Sequence, residues 1–200
     1  MRCGKTNATS AGVSAVKQRS LLTAAFSIVA LALLGVAVHA QSQDKYALTV
    51  PGGLAFSEFK GYESWQTIAI SENGPLIAVI VGNPQMIEAF RSGIPGNGKP
   101  FPDGAKMAKI HWLPKKSVNP GNPTVPDKLA NVDFMVKDGT RFANSGGWGY
   151  GAFEFDPATA AFRPATTQDS PPQSNDAKCG FACHTIAKAR DYVFTEYAPR

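Results

Sequence analysis

An α+β domain built mainly on an antiparallel sheet of about five strands, with a few short helices, is what this sequence predicts, and three observations predict it. Nineteen glycines and fifteen prolines in 200 residues interrupt the chain too often for a helical bundle. Several short stretches alternate apolar and polar residues, the period of a strand with one buried face. Turn-forming residues separate those stretches at short intervals, as antiparallel neighbours require. Apolar residues make up 44% of the chain and charged residues 18%, enough to bury a core and too apolar for a disordered polypeptide.

The chain opens on a segment of a different kind. Arg2, Lys5, Lys17 and Arg19 precede any acidic residue, and the apolar run Leu21 to Val38 follows, ending in Val38-His39-Ala40. A basic stretch, an apolar stretch and small residues before a cut are the marks of a secretory signal peptide. The run is also near the length of a membrane-spanning helix, so an uncleaved anchor is the competing reading. Residues 1–40 are therefore assigned to a signal and 41–200 to the domain, which places the domain outside the cytoplasm, in a bacterial periplasm.

Removing residues 1–40 with their four basic side chains leaves 160 residues carrying 16 Lys and Arg against 15 Asp and Glu. Four of the five formal positive charges thus belong to the leader. The domain is nearly neutral, and no nucleic-acid surface is implied.

The elements follow in order. Leu54 to Tyr62 reads as a short helix. Trp65 to Ser71 and Pro75 to Val81 alternate around Glu72-Asn73-Gly74, a hairpin signal. Asn83 is a good N-cap and Pro84 suits the first helical position, so a helix carries Met86, Ile87 and Phe90 on one face until Gly93. Ala105 to Leu113 is a strand. The prolines at 114, 120, 123 and 126 mark a long irregular connection, since proline cannot donate to a sheet ladder. Asn131 to Lys137 and Trp148 to Phe155 complete the strands, Pro164 to Ala177 is a polar loop, and a last helix covers about Thr185 to Tyr192. No repeat and no second core appear, so the mature chain is one domain.

Chemistry concentrates near the carboxy end, in KCGFACHT. Cys179, Cys183 and His184 admit three readings. Two cysteines in an oxidising compartment form a disulfide, although one closing so short a loop removes little entropy. Cys-x-x-x-Cys-His is one residue longer than the usual signature for covalent haem attachment, in which two thiols bond the porphyrin vinyl groups and the adjacent imidazole takes the iron. Gly180 can absorb the extra residue by relaxing the turn. Zinc is the third reading, with the fourth ligand drawn from His111 or carboxylates.

Five segments in fixed order, NPQMIEAFRSG, FPDGAKMAKIHW, VDFMVKDGTRF, GGWGYGAFEF and CGFACHTIAKARDYVFTEY, resemble the cytochrome P-460 family of periplasmic c-type cytochromes. The resemblance implies a mainly antiparallel domain, usually dimeric, holding one covalent haem c with an open iron position. It implies Cys179 and Cys183 as thioether anchors and His184 as proximal iron ligand. In one branch a lysine is bonded to a haem meso carbon and hydroxylamine is oxidised, with nitrous oxide as a product and electrons passed to a redox partner protein. In the cytochrome c-prime-beta branch the bond is absent and nitric oxide or carbon monoxide is bound without that chemistry.

The lysine after FPDG falls at Lys109. On an alternating strand Met107, Lys109 and His111 share one face, and Lys106, Ala108 and Ile110 the other, so Lys106 and Lys109 cannot both face a haem. Lys109 is the expected cross-linking residue. An electron-transfer cytochrome is the further alternative, with His111, Met86, Met107 or Met135 as sixth ligand, though Met86 suits core packing. Phe56, Phe59, Phe90 and Phe134 are candidates for an apolar distal wall, and Arg91 and Arg141 for pairing with propionates or for solvent. The glycines among Trp148, Tyr150 and Phe153 leave room for something bulky, such as a haem, to approach the backbone.

Overall fold

Consecutive alternating segments joined by short turns fold back on one another, and a computed structural model of the chain shows the outcome over residues 44–52, 54–167 and 180–200. Contacts divide the chain into Met1–Gln41 and Ser42–Arg200, and every described residue belongs to the second unit. The expected signal segment and Cys179 lie outside the described residues.

The six strands are β1 (Gln66–Asn73), β2 (Leu76–Gly82), β3 (Lys106–Lys116), β4 (Thr124–Lys137), β5 (Trp148–Asp156) and β6 (Ala161–Pro164). They form a single antiparallel meander in sequence order. Helix α1 (Pro84–Arg91) begins where the sequence predicts, with the Asn83 side chain accepting from the Met86 N–H. Helix α2 (Phe181–His184) runs into a 3-10 stretch, Thr185–Arg190. No helix among the described residues is long and apolar enough to cross a membrane.

Three expectations need correction. Among the described residues there are six strands where about five were expected, because Ala161–Pro164 is too short to display alternation and pairs only with β5. The proline-rich connection is partly strand. Leu113 to Lys116 pairs with Thr124 to Lys128, Pro114 standing opposite Pro126 after a register shift. Proline is tolerated there because β2 reaches no further than Trp112 and β5 no further than Asn131, so this end of the hairpin has no outer neighbours needing its donors. The predicted helices over Leu54 to Tyr62 and Thr185 to Tyr192 are 3-10 turns, the second ending at Arg190.

The sheet separates two apolar cores. On one face Val81, Ala108, Val132, Phe134 and Phe153 are covered by the amino-terminal segment through Val50, Leu54, Phe56, Phe59 and Tyr62. Phe56 meets Phe134, Phe153 and Tyr62 edge-on with centroids 4.8–6.0 Å apart, contacts worth about 0.5–1.5 kcal/mol each beyond area burial. Lys106 belongs to this side, its Nζ donating to the Glu58 carbonyl at 2.6 Å. On the other face Ile80, Met107, Met135, Trp148 and Tyr150 are covered by α1, Phe101 and the carboxy-terminal segment.

This division also corrects the reading of the glycine-rich strand. A Cβ at Gly149 would lie 2.3 Å from the Phe142 ring and one at Gly151 2.7 Å from Leu54, so side chains of the first core fill those gaps, not a prosthetic group. Gly149→Ala is accordingly expected to destabilise the domain by about 1–3 kcal/mol through overpacking, read as a lower denaturant midpoint at unchanged slope.

Candidate haem site

The second face carries a cavity of about 330 Å³, within the range of small-molecule sites. Strand alternation builds its floor. Ile80, Lys109, Asp133 and Ala152 form one cross-strand row over β2 to β5, and Met107, Met135 and Tyr150 form the next. All seven line the cavity. The carboxy-terminal segment closes it with Cys183, His184, Val193, Phe194 and Thr195. Residues 75 positions apart, Lys109 and His184, thus border one space.

The register fixes the phase of β3. Met107 and Lys109 face the cavity, whereas Lys106 lies over the Phe59 ring on the opposite side of the sheet.

His184 sits between two rings, Tyr150 with centroids 5.0 Å away and Phe194 at 4.9 Å. Its Nδ1 lies 2.6 Å from the Tyr192 carbonyl oxygen. A carbonyl only accepts, so Nδ1 carries the proton and Nε2 keeps its lone pair. Burial holds the imidazole below its usual pKa, against the opposing pull of the Tyr192 hydrogen bond and Asp133, and this favours the neutral, ligating form. A histidine with one nitrogen committed to a backbone carbonyl is the arrangement usual for a metal ligand. Cys183, exposed and one residue earlier on α2, borders the same cavity. An imidazole nitrogen with a lone pair to give and a thiol beside it, both on one largely apolar cavity, are the donor set that an iron porphyrin takes, so the residues present fit a haem.

The remaining candidates divide between the cavity and other parts of the domain. His111 is buried with Nδ1 3.6 Å from Asp133 Oδ2, while Asn131 donates to Asp133 Oδ1 at 2.8 Å. Burial lowers the His111 pKa, Asp133 opposing and Lys109 adding to the effect. Met86, on α1, is fully buried and does not border the cavity. Met107 and Met135 do. Of the four phenylalanines expected on a distal wall, Phe56 and Phe59 lie in the opposite core and Phe90 stacks on Tyr197, while Phe134 borders the cavity although its ring stacks on Phe59. Arg141 pairs with Glu58 at 2.8 Å and Arg91 approaches Gln66. Among the described residues no three His, Cys, Asp or Glu side chains cluster to hold a metal ion.

Sequence reasoning passed over Asp133, Tyr150 and the Phe194 to Thr195 wall. Asp133 is the polar residue of the apolar stretch VDFMV within β4, and it shares a face with Met135 two positions on. Nothing local marks Phe194, which reaches the cavity only because the chain turns back after Arg190.

The family description Cytochrome P460 matches residues 59–195, more than half of the chain. No curated protein matches it.

Proposed function

Because this chain belongs to the cytochrome P460 family, whose cofactor is haem, we propose that it is a periplasmic mono-haem c-type cytochrome that oxidises hydroxylamine at an open iron position. The observation that carries the reading is the convergence of His184, Cys183 and Lys109 on one cavity from segments about 75 residues apart in the chain. Bound there, the haem supplies one-electron redox chemistry and an open coordination position for a small nitrogen ligand.

The protein's own contributions follow from its geometry. His184 ligates through Nε2, its ring held by Tyr192, Tyr150 and Phe194. Cys183 and Cys179 would hold the ring through thioethers. Lys109 is the residue that would furnish the amine of the family's lysine–haem bond. Asp133, directly opposite Lys109 in the β3/β4 register, gives the cavity a negative group beside the amine. Ile80, Met107 and Met135 keep the rest of the wall apolar, restricting entry to small ligands. The chain works as a dimer and hands electrons to a protein partner, as the family resemblance implies.

Attachment is tested directly. Denaturation in acid with organic solvent should leave the haem on the polypeptide, since thioethers survive it and axial ligation does not. Haem recovered intact in the solvent layer defeats the covalent assignment.

Met107 and Met135 favour one second reading. Both thioethers border the cavity, and one bound to the iron would make an electron-transfer haem without an open position. A high-spin optical spectrum in both oxidation states eliminates it.

A further inference from the structure

Resting on that assignment of His184, we propose that the buried ion pair between Lys137 and Asp191 is the positioning device for the axial histidine. It sets the backbone turn that aims the Tyr192 carbonyl at Nδ1.

Lys137 ends β4 and is 7% exposed, in a fold where lysines otherwise reach solvent. Its Nζ donates to both carboxylate oxygens of Asp191, at 2.7 and 2.9 Å, and to the Gly146 carbonyl at 3.0 Å. The ammonium also lies over the Trp148 ring, 5.1 Å from its centroid. From the far side the Phe101 N–H donates to Asp191 Oδ2 at 2.8 Å. Every proton of the ammonium and both carboxylate oxygens are therefore engaged, the condition under which a buried pair is tolerated at all.

What the pair holds is unusual. Asp191 and Tyr192 are successive residues with φ of 49° and 64°, the left-handed region that side chains with a Cβ disfavour. Asp191 adopts it more readily than Tyr192 does, because its short polar side chain can bond locally. Here that side chain is tied to β4 and to the Phe101 loop. The turn reverses the chain after Thr185–Arg190 and leaves the Tyr192 carbonyl 2.6 Å from His184 Nδ1. Tyr192 has little freedom of its own, since its ring fills the space over Gly146, where a Cβ would lie 2.2 Å away, and Val193 behind it is buried.

The consequence is electronic. A firm hydrogen bond from Nδ1–H raises the donor strength of Nε2, stabilises the oxidised iron and lowers the reduction potential. Lys137 and Asp191 touch neither iron nor ligand. They act through Tyr192.

The test uses the full chain, both with its haem and before haem is bound. Asp191→Ala removes the anchor, and the double variant Lys137→Met with Asp191→Asn removes both charges without leaving one buried alone. Both should shift the iron–histidine stretching band of the reduced protein to lower frequency and raise the potential. In haem-free protein the His184 Nδ1 proton should exchange at least about tenfold faster than in wild type. Glu58→Gln, which breaks the Arg141 pair on the opposite face, serves as the control and should change only thermal stability.

Variants that lose stability like the control but keep the wild-type band, potential and proton exchange overturn the proposal. A double variant that no longer folds does so too, because the pair would then serve the fold and not the ring. A wild-type protein that takes up no haem defeats the functional reading instead, and the exchange of the Nδ1 proton still decides the role of the ion pair.

Discussion

Substituting Lys109 by alanine should abolish hydroxylamine oxidation and remove a red-shifted absorption band together, while the protein keeps a conventional haem that still binds nitric oxide. An amine bonded to a meso carbon perturbs conjugation around the ring, so the reduced wild type should absorb well to the red of an ordinary c-type haem. Lys109 lines the cavity with His184 and has Asp133 across from it, so truncating it vacates a cavity position and leaves the proximal side intact. Lys106→Ala is the matched comparison, since that side chain lies over Phe59 on the opposite face. It should alter neither activity nor spectrum. A wild-type spectrum already like that of an ordinary high-spin c-type haem would mean that no bond forms, and would move the protein to the gas-binding branch. A red shift that survives Lys109→Ala and disappears in Lys106→Ala would contradict the strand phase itself.

The second large effect is expected at His184. Removing an outer partner of a metal-bound histidine typically costs about 10–100-fold in affinity or activity, so removing the ligand itself should cost more. His184→Ala should leave the haem tethered by its thioethers but without its proximal imidazole, changing both the spectrum and the potential. His111→Ala provides the contrast, because His111 packs beside Asp133 and does not border the cavity. Its spectrum should match wild type. If His111→Ala instead turns a low-spin spectrum into a high-spin one, the open iron position is lost as an explanation and electron transfer takes its place.

These expectations draw on two different kinds of information, and the chain shows where each begins. Alternation alone placed Met107 and Lys109 on one side of β3 and Lys106 on the other, because successive side chains on a strand must point to opposite faces. Asn83 and Pro84 likewise announced the start of α1 by local capping chemistry. The hairpin before it was legible, with its turn falling at Gly74 and Pro75. Such features depend on neighbours a few residues apart, and a sequence records them directly.

The rest depended on contacts that no local pattern carries. Prolines at 114 and 126 argued against a strand, yet both sit in one, because the sheet is only two strands wide there and their missing donors face no partner. Four phenylalanines looked equally suited to a haem pocket, and only the covering of the sheet by the amino-terminal segment on one side and the carboxy-terminal segment on the other assigned Phe56 and Phe59 to the opposite core. The glycines of β5 signalled a close approach correctly, but the approaching groups are Phe142 and Leu54.

Legible in the chain alone were candidate haem-binding residues, CGFACH with a lysine on an alternating strand, and the antiparallel sheet that carries the lysine. The packing of the whole domain brought Lys109, Cys183 and His184 to one cavity, and joined a lysine from β4 to an aspartate after Arg190 in a buried pair. The reason is physical. Strand phase and capping arise from fixed covalent geometry over a few residues, whereas the wall of the site arises from desolvation, which rewards whichever distant segments close over the same face.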